Sequence, residues 1–309
     1  MSDRRTFLRQ LSATIGAGAA APALLHAQAA GLTSSRVSPL AGDAARGMLR
    51  MDHIDHIDRI ETLGVQLYTV RDLMKADVEG TLARVAQAGY GEVEFAGYFG
   101  RTPAQVRAAL ASAGLKAPSA HIGAGELAPA NWPAVLDTAH AIGHEWLVLA
   151  WIGDQYTKSA DGYKAVADLL LAAADSAKRA GIRLAYHNHD FEFKPLPGNS
   201  IGYDVLLERT RGSTIAFEMD LCWITKAGRD PMAYWLKWPE RFPMVHVKDA
   251  VFAPAFAMKD VGAGTINWSG LFREHVQAGI QHYFVEHDQP TDPMASITAS
   301  ATYLKQLTF

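Results

Sequence analysis

From residue 61 onward the chain repeats one rhythm. A short apolar run is followed by a polar or glycine-rich break, then by a longer stretch with apolar residues every three to five positions. The runs predict strands over 63–68, 92–96, 117–121, 146–151, from 181, 214–219, 244–247 and 282–285. The stretches between predict helices. The first passes through Leu73, Val78, Leu82 and Val85 and stops at Gly89. The second opens at Thr102-Pro103, with threonine as N-cap and proline in the first turn. Others cover 132–142 and 162–180, pass through Val205, Leu206 and Leu207, and cover 232–236, 268–277 and 294–307. Strands alternating this regularly with helices predict a parallel sheet, and eight units close it. The span 61–309 has about the length, ~250 residues, of such a fold. The fold class is therefore α/β, a (β/α)8 TIM barrel in a single domain.

Several strands end in polar clusters. The fifth runs from Gly181 into His187-Asn-His-Asp-Phe-Glu192. Alternation along a strand puts His187 and His189 on one face and Asn188 on the other. Later strands end in Phe217-Glu-Met-Asp220, Val245-His-Val-Lys-Asp249 and Phe284-Val-Glu-His-Asp288. Chemistry collected at carboxyl ends is where barrels of this kind build their sites. The loop 252–264 mixes aromatics with glycines, a composition suited either to a lid or to a packed surface loop.

The amino terminus reads differently. Asp3-Arg4-Arg5-Thr6-Phe7-Leu8-Arg9, a mild apolar run and the small-residue site Ala27-Gln28-Ala29 have the layout of an export signal over 1–29. The arginine pair resembles the twin-arginine type and predicts a periplasmic protein. The apolar run is too short and too rich in alanine and glycine for a stable membrane anchor. Residues 30–60 read as a linker. The His-Ile-Asp triplets of 52–58 have a period of three that suits neither strand nor helix, and read as a solvated lead-in. Over 309 residues the composition is 49% hydrophobic and 20% charged, with a net charge of −3. That balance argues against nucleic acid as a partner, and the sequence is compatible with a homo-oligomer. The single cysteine, Cys222, excludes an internal disulfide and a cysteine-rich zinc site.

Asp220, His246 and Glu286 lie at or beside the ends of strands six, seven and eight. Two carboxylates and an imidazole suit one divalent ion such as Mn²⁺, Mg²⁺, Co²⁺ or Zn²⁺. Strand five can add His187 or, from its loop, Glu192. Glu94, His189, Lys226 and Lys248 are candidates for moving a proton or holding an oxyanion. His121, Trp151 and Trp223 are candidates for contacting substrate.

Gly64-Val-Gln-Leu-Tyr68, Gly91-Glu-Val-Glu-Phe95, Ala120-His121, His187-Asn-His189, Asp220, Val245-His-Val-Lys-Asp249, Gly262-Ala-Gly-Thr-Ile-Asn-Trp268 and Glu286 together resemble the sugar phosphate isomerase/epimerase family of xylose isomerase-like barrels. The resemblance implies one divalent ion held by Asp220, His246 and Glu286 with a residue of strand five. There the family's usual Glu-Asn-His is replaced by His187-Asn188-His189, which puts simple two-base epimerisation in question. Export makes a non-phosphorylated substrate the expectation, a free sugar or keto-sugar deprotonated beside its carbonyl. Isomerisation, epimerisation and elimination, as in a keto-glycoside lyase or hydratase, all remain open. A metal-independent glycosidase using Glu94 and Glu286, a sugar-binding protein and an endonuclease IV-type phosphodiesterase are weaker readings. Trp223 stands where that last class would need a histidine.

Overall fold

The computed structural model describes residues 58–309. The expected signal and all but the last residues of the expected linker lie outside them. Eight parallel strands close a barrel: β1 (Leu63–Gln66), β2 (Glu92–Phe95), β3 (Lys116–Gly123), β4 (Trp146–Trp151), β5 (Arg183–His187), β6 (Ala216–Asp220), β7 (Met244–Val247) and, last, β10 (His282–Val285), which pairs with both β7 and β1. Every strand adjoins its sequence neighbour in the barrel, as right-handed β/α crossovers require.

The helical layer departs from the expected pattern where single polar residues intervene. The first apolar stripe is split into α1 (Arg71–Ala76) and α2 (Val78–Gln87). Asp77 between them is extended, and its carboxylate accepts the amide of Gly80 as an N-cap. α3 (Pro103–Ala113) opens with the expected Thr102 cap, completed by Gln105 into a reciprocal capping box. α4 (Trp132–Ile142), α5 (Ala160–Arg179) and α6 (Gly202–Arg209) follow. An additional short helix, α7 (Leu221–Lys226), starts directly after β6 and precedes α8 (Pro231–Lys237). The 252–264 loop is partly ordered: β8 (Asp249–Val251) and β9 (Ala257–Lys259) form an antiparallel hairpin. The expected helix at 268–277 is two pieces, α9 (Trp268–Phe272) and α10 (His275–Ala278), and α11 (Pro293–Gln306) closes the chain.

Inside the barrel the inward positions form layers. Trp146, Val148, Ala185, Ala216, Met244 and Phe284 make an apolar floor at the amino-terminal end. Phe284 fits because β1 presents Gly64 to it; a Cβ at Gly64 would lie 2.4 Å from the Phe284 ring. Two residues further along β1, β2, β3, β5, β6 and β7 the inward side chains become polar. Gln66, Glu94, His121, His187, Glu218 and His246 are all buried there. The next inward step brings Asp220, Lys248 and Glu286, also buried. Among the described residues, no helix is long and apolar enough to cross a membrane.

Candidate active site at the carboxyl ends of the strands

The deeper polar layer is a lattice of imidazoles and carboxylates. Glu218 Oε2 meets His121 Nε2 at 2.8 Å, His187 Nδ1 at 2.9 Å and His246 Nε2 at 3.1 Å. Glu94 Oε2 lies 2.9 Å from His121 Nε2 and 2.8 Å from His246 Nε2. The Gln66 amide donates to Glu94 at 2.7 Å, and the Ser119 hydroxyl donates to its other oxygen. Burial alone would push both imidazoles toward their neutral forms. The carboxylates outweigh it: Glu94 and Glu218 raise His121, and Glu218 and Glu286 hold His246 well above its ordinary range. Conversely, burial would raise the Glu94 carboxyl, but His121 and His246 hold it below the usual carboxylate range.

The expected ligand set joins His246 of this layer to Asp220 and Glu286 of the one above. Asp220, His246 and Glu286 each bring a donor atom within 4.8 Å of the other two. His246 Nδ1 is 2.8 Å from Glu286 Oε2, while its Nε2 faces Glu94 from below. An imidazole steadied by a carboxylate on one nitrogen and facing a ligand set with the other is the usual arrangement behind a metal-binding histidine. The donor chemistry therefore fits a divalent cation. Lys248 enters the same space, its Nζ 3.0 Å from Asp220 Oδ2 and 2.9 Å from Glu286 Oε2. Burial raises the Asp220 carboxyl, with Lys248 and His246 opposing. The other oxygen of Asp220, Oδ1, accepts the Trp223 amide at 2.8 Å and so caps α7.

His187 lies in a second, deeper set with His121, Glu218 and His246, whose donor atoms also fall within 4.8 Å of one another and could hold a metal ion; its Nδ1 turns to Glu218, its register partner on β6. Glu94 and His121 lie in the same lower layer and are enclosed; Glu94 pairs with His246 Nε2, and the His121 ring stacks on that of His246.

His189, Trp151, Trp223 and Lys226 do reach the mouth. The His189 ring stacks on Phe191 (5.5 Å between centroids, 13° between planes) and meets Trp151 edge-on at 5.9 Å. Its backbone amide donates to Glu192 at 2.8 Å, and Tyr186 donates its hydroxyl to the same carboxyl at 2.9 Å. Burial pushes Glu192 up to about 8. Next to His189, at 6.4 Å between ring centroids, Trp223 stacks on Phe256 of the β8–β9 hairpin at 5.5 Å. Lys226 Nζ lies 4.3 Å from the Trp223 ring centre and 3.1 Å from Asp190. The hairpin is fixed from behind. Asp249 accepts the amides of Gly262 and Gly264 and the indole N–H of Trp268 at 2.9–3.2 Å. A Cβ at Gly264 would lie 2.0 Å from that carboxylate, which accounts for the Gly-Ala-Gly-Thr-Ile-Asn-Trp spacing.

Glu218 and Asp288 complete these networks without having been picked out as site residues from sequence. Glu218 was legible in principle, two residues before Asp220 on the same strand face. Asp288 accepts Lys248 Nζ at 2.8 Å from just beyond β10.

The model of the family described as xylose isomerase-like TIM barrel matches residues 82–307. The chain belongs to this family. Two crystal structures of sugar phosphate isomerase/epimerases from Parabacteroides distasonis resemble this xylose isomerase-like barrel. One has a TM-score of 0.70 and 24% identity over 79% of this chain and 93% of its own. The other has a TM-score of 0.68 and 28% identity over 80% and 98%. A 3-keto-D-glucoside 4-epimerase from E. coli shares the fold, with a TM-score of 0.61 and 16% identity over 80% and 99%. No curated protein matches the chain. Among its structural neighbours, this xylose isomerase-like barrel thus counts isomerases and epimerases, and its own buried Asp–His–Glu cluster can hold a metal ion.

Proposed function

We propose that this protein is a divalent-metal-dependent enzyme that removes a proton beside the carbonyl of a non-phosphorylated sugar or keto-sugar. The observation that carries the reading is the convergence of Asp220, His246 and Glu286 within 4.8 Å of one another at the barrel's carboxyl end. Asp220, His246 and Glu286 would hold the ion, with Glu94 and Glu218 fixing the His246 ring from beneath. Once bound, a divalent ion supplies the electrophile that steadies negative charge on the carbonyl oxygen. His189 would take the proton, a reading supported by its side chain bordering the mouth whereas Glu94 is enclosed. Lys226, braced by Asp190, the residue next to His189, would return a proton. Trp151 and Trp223 offer flat apolar faces to a sugar ring.

The test is solvent deuterium incorporation into a panel of sugars and 3-keto-glycosides, with and without chelator. Deuterium should enter a carbon next to the carbonyl, and His189→Ala should slow the exchange by about a hundredfold or more. Chelator-insensitive hydrolysis without exchange would refute the reading.

A keto-glycoside lyase or hydratase on the same residues is the second reading. The aromatic pairs Trp151–Phe191 and Trp223–Phe256 favour it, since such rings offer apolar faces on which an aglycone could rest. Release of an aglycone alongside deuterium exchange would select this branch. Export by the twin-arginine route suits an unphosphorylated substrate, and recovery of the uncleaved chain from the cytoplasm alone would contradict it.

A further inference from the structure

Lys248 is a fully buried lysine, and lysine is almost never enclosed unless it is paired. Its position follows from the strand: two residues past His246, it continues the inward column of β7. Its ammonium bridges Asp220 Oδ2 and Glu286 Oε2 at 3.0 and 2.9 Å. These are two of the three side chains that a divalent ion would need. A third carboxylate, Asp288, contacts Nζ at 2.8 Å and is partly open to solvent. The lysine therefore stands between the ligand pair and an anchor nearer the mouth.

We propose that Lys248 is the site's own cation. Its ammonium and a divalent ion are mutually exclusive occupants of the space between Asp220 and Glu286, and Asp288 keeps the lysine paired when an ion displaces it. The proposal rests on reading Asp220, His246 and Glu286 as a metal-holding set. Like charges in a confined, poorly hydrated space repel strongly, so both cations cannot share one pair of carboxylates. With no ion bound, the lysine keeps two buried carboxylates, Asp220 and Glu286, from facing one another without its charge between them. With an ion bound, it needs another acceptor, which Asp288 supplies. The exchange costs the ion affinity, because each binding event must break two buried ion pairs.

The experiment is calorimetric titration of Mn²⁺ into the chelator-treated full chain, as wild type, Lys248→Met and Asp288→Asn, with circular dichroism verifying the fold of each. Lys248→Met should bind one Mn²⁺ at least about tenfold more tightly than wild type. Asp288→Asn should bind it several-fold more weakly, because the lysine has lost its alternative partner. Equal affinity of wild type and Lys248→Met overturns the exclusion and leaves the metal reading intact. Binding by Lys248→Met but not by wild type supports the exclusion and removes metal dependence from the natural chain. Binding by neither overturns both, and unchanged affinity in Asp288→Asn overturns the role of Asp288. Should Lys248→Met fail to fold, a structure of the wild type with Mn²⁺ decides. Nζ drawn away from Asp220 and Glu286 supports the proposal; Nζ still bonded to both beside a bound ion overturns it.

Discussion

Glu218 is the carboxylate on which the lower lattice depends, and its removal has a calculable consequence. One oxygen, Oε2, meets three imidazole nitrogens at 2.8, 2.9 and 3.1 Å, all enclosed. Taking one partner from a buried ion pair costs about 3–5 kcal/mol, because the remaining charge is left uncompensated. For a domain of this size each kcal/mol lowers the melting temperature by about 2–4 °C. Glu218→Ala should therefore melt about 6–20 °C below wild type, and Glu218→Gln, which keeps shape and one acceptor, should fall between the two. The dependence on pH has a definite sign. Burial depresses His121 and His246, but their carboxylates more than reverse it, so both folded-state values are raised. The stability they contribute is fully present below the unfolded value of 6.5 and is lost as pH rises through the higher folded values. The gap between wild type and Glu218→Ala should consequently be widest in mildly acidic buffer and shrink on the alkaline side. Urea unfolding followed by circular dichroism across pH is the assay. A Glu218→Ala variant within about 1 kcal/mol of wild type in mild acid would show that the imidazoles are not charge-paired with Glu218.

Two further outcomes are expected. Glu192 is buried with a value raised from 4.5 to about 8, so its contribution is fully present below 4.5 and lost as pH rises through about 8. Glu192→Gln, permanently neutral, should flatten the loss of stability between pH 4.5 and about 8, and parallel wild-type and variant profiles over that range would contradict this. Gly64→Ala puts a methyl carbon 2.4 Å from the Phe284 ring and should destabilise the barrel by about 1–3 kcal/mol through overpacking of the floor; an unchanged unfolding midpoint would mean that Phe284 moves freely.

Strands buried on both faces read as apolar runs, which is why 244–247 and 282–285 fall on β7 and β10 to the residue. The helices were harder where one side chain overrides a periodic pattern. Asp77 interrupts a stripe that Leu73, Val78, Leu82 and Val85 carry without a gap, because its carboxylate satisfies the Gly80 amide better than continued helix would. Asp220 hides the start of α7 in the same way, since a residue that reads as a ligand also caps a helix. At the site, alternation predicts which residues face inward but not how deep they lie. Depth comes from the stagger of strands as the barrel closes, a property of all eight together. That is why His187, Glu94 and His121 lie beneath the mouth while His189, two residues after His187, borders it. The lattice around Glu218 and Glu94 joins five strands across about 150 residues of chain, a pairing that local spacing does not encode.

The apolar floor of Trp146, Val148, Ala185, Ala216, Met244 and Phe284 makes the barrel a blind vessel rather than a passage. Approach to Asp220, His246 and Glu286 from the amino-terminal end is thereby closed by six apolar side chains.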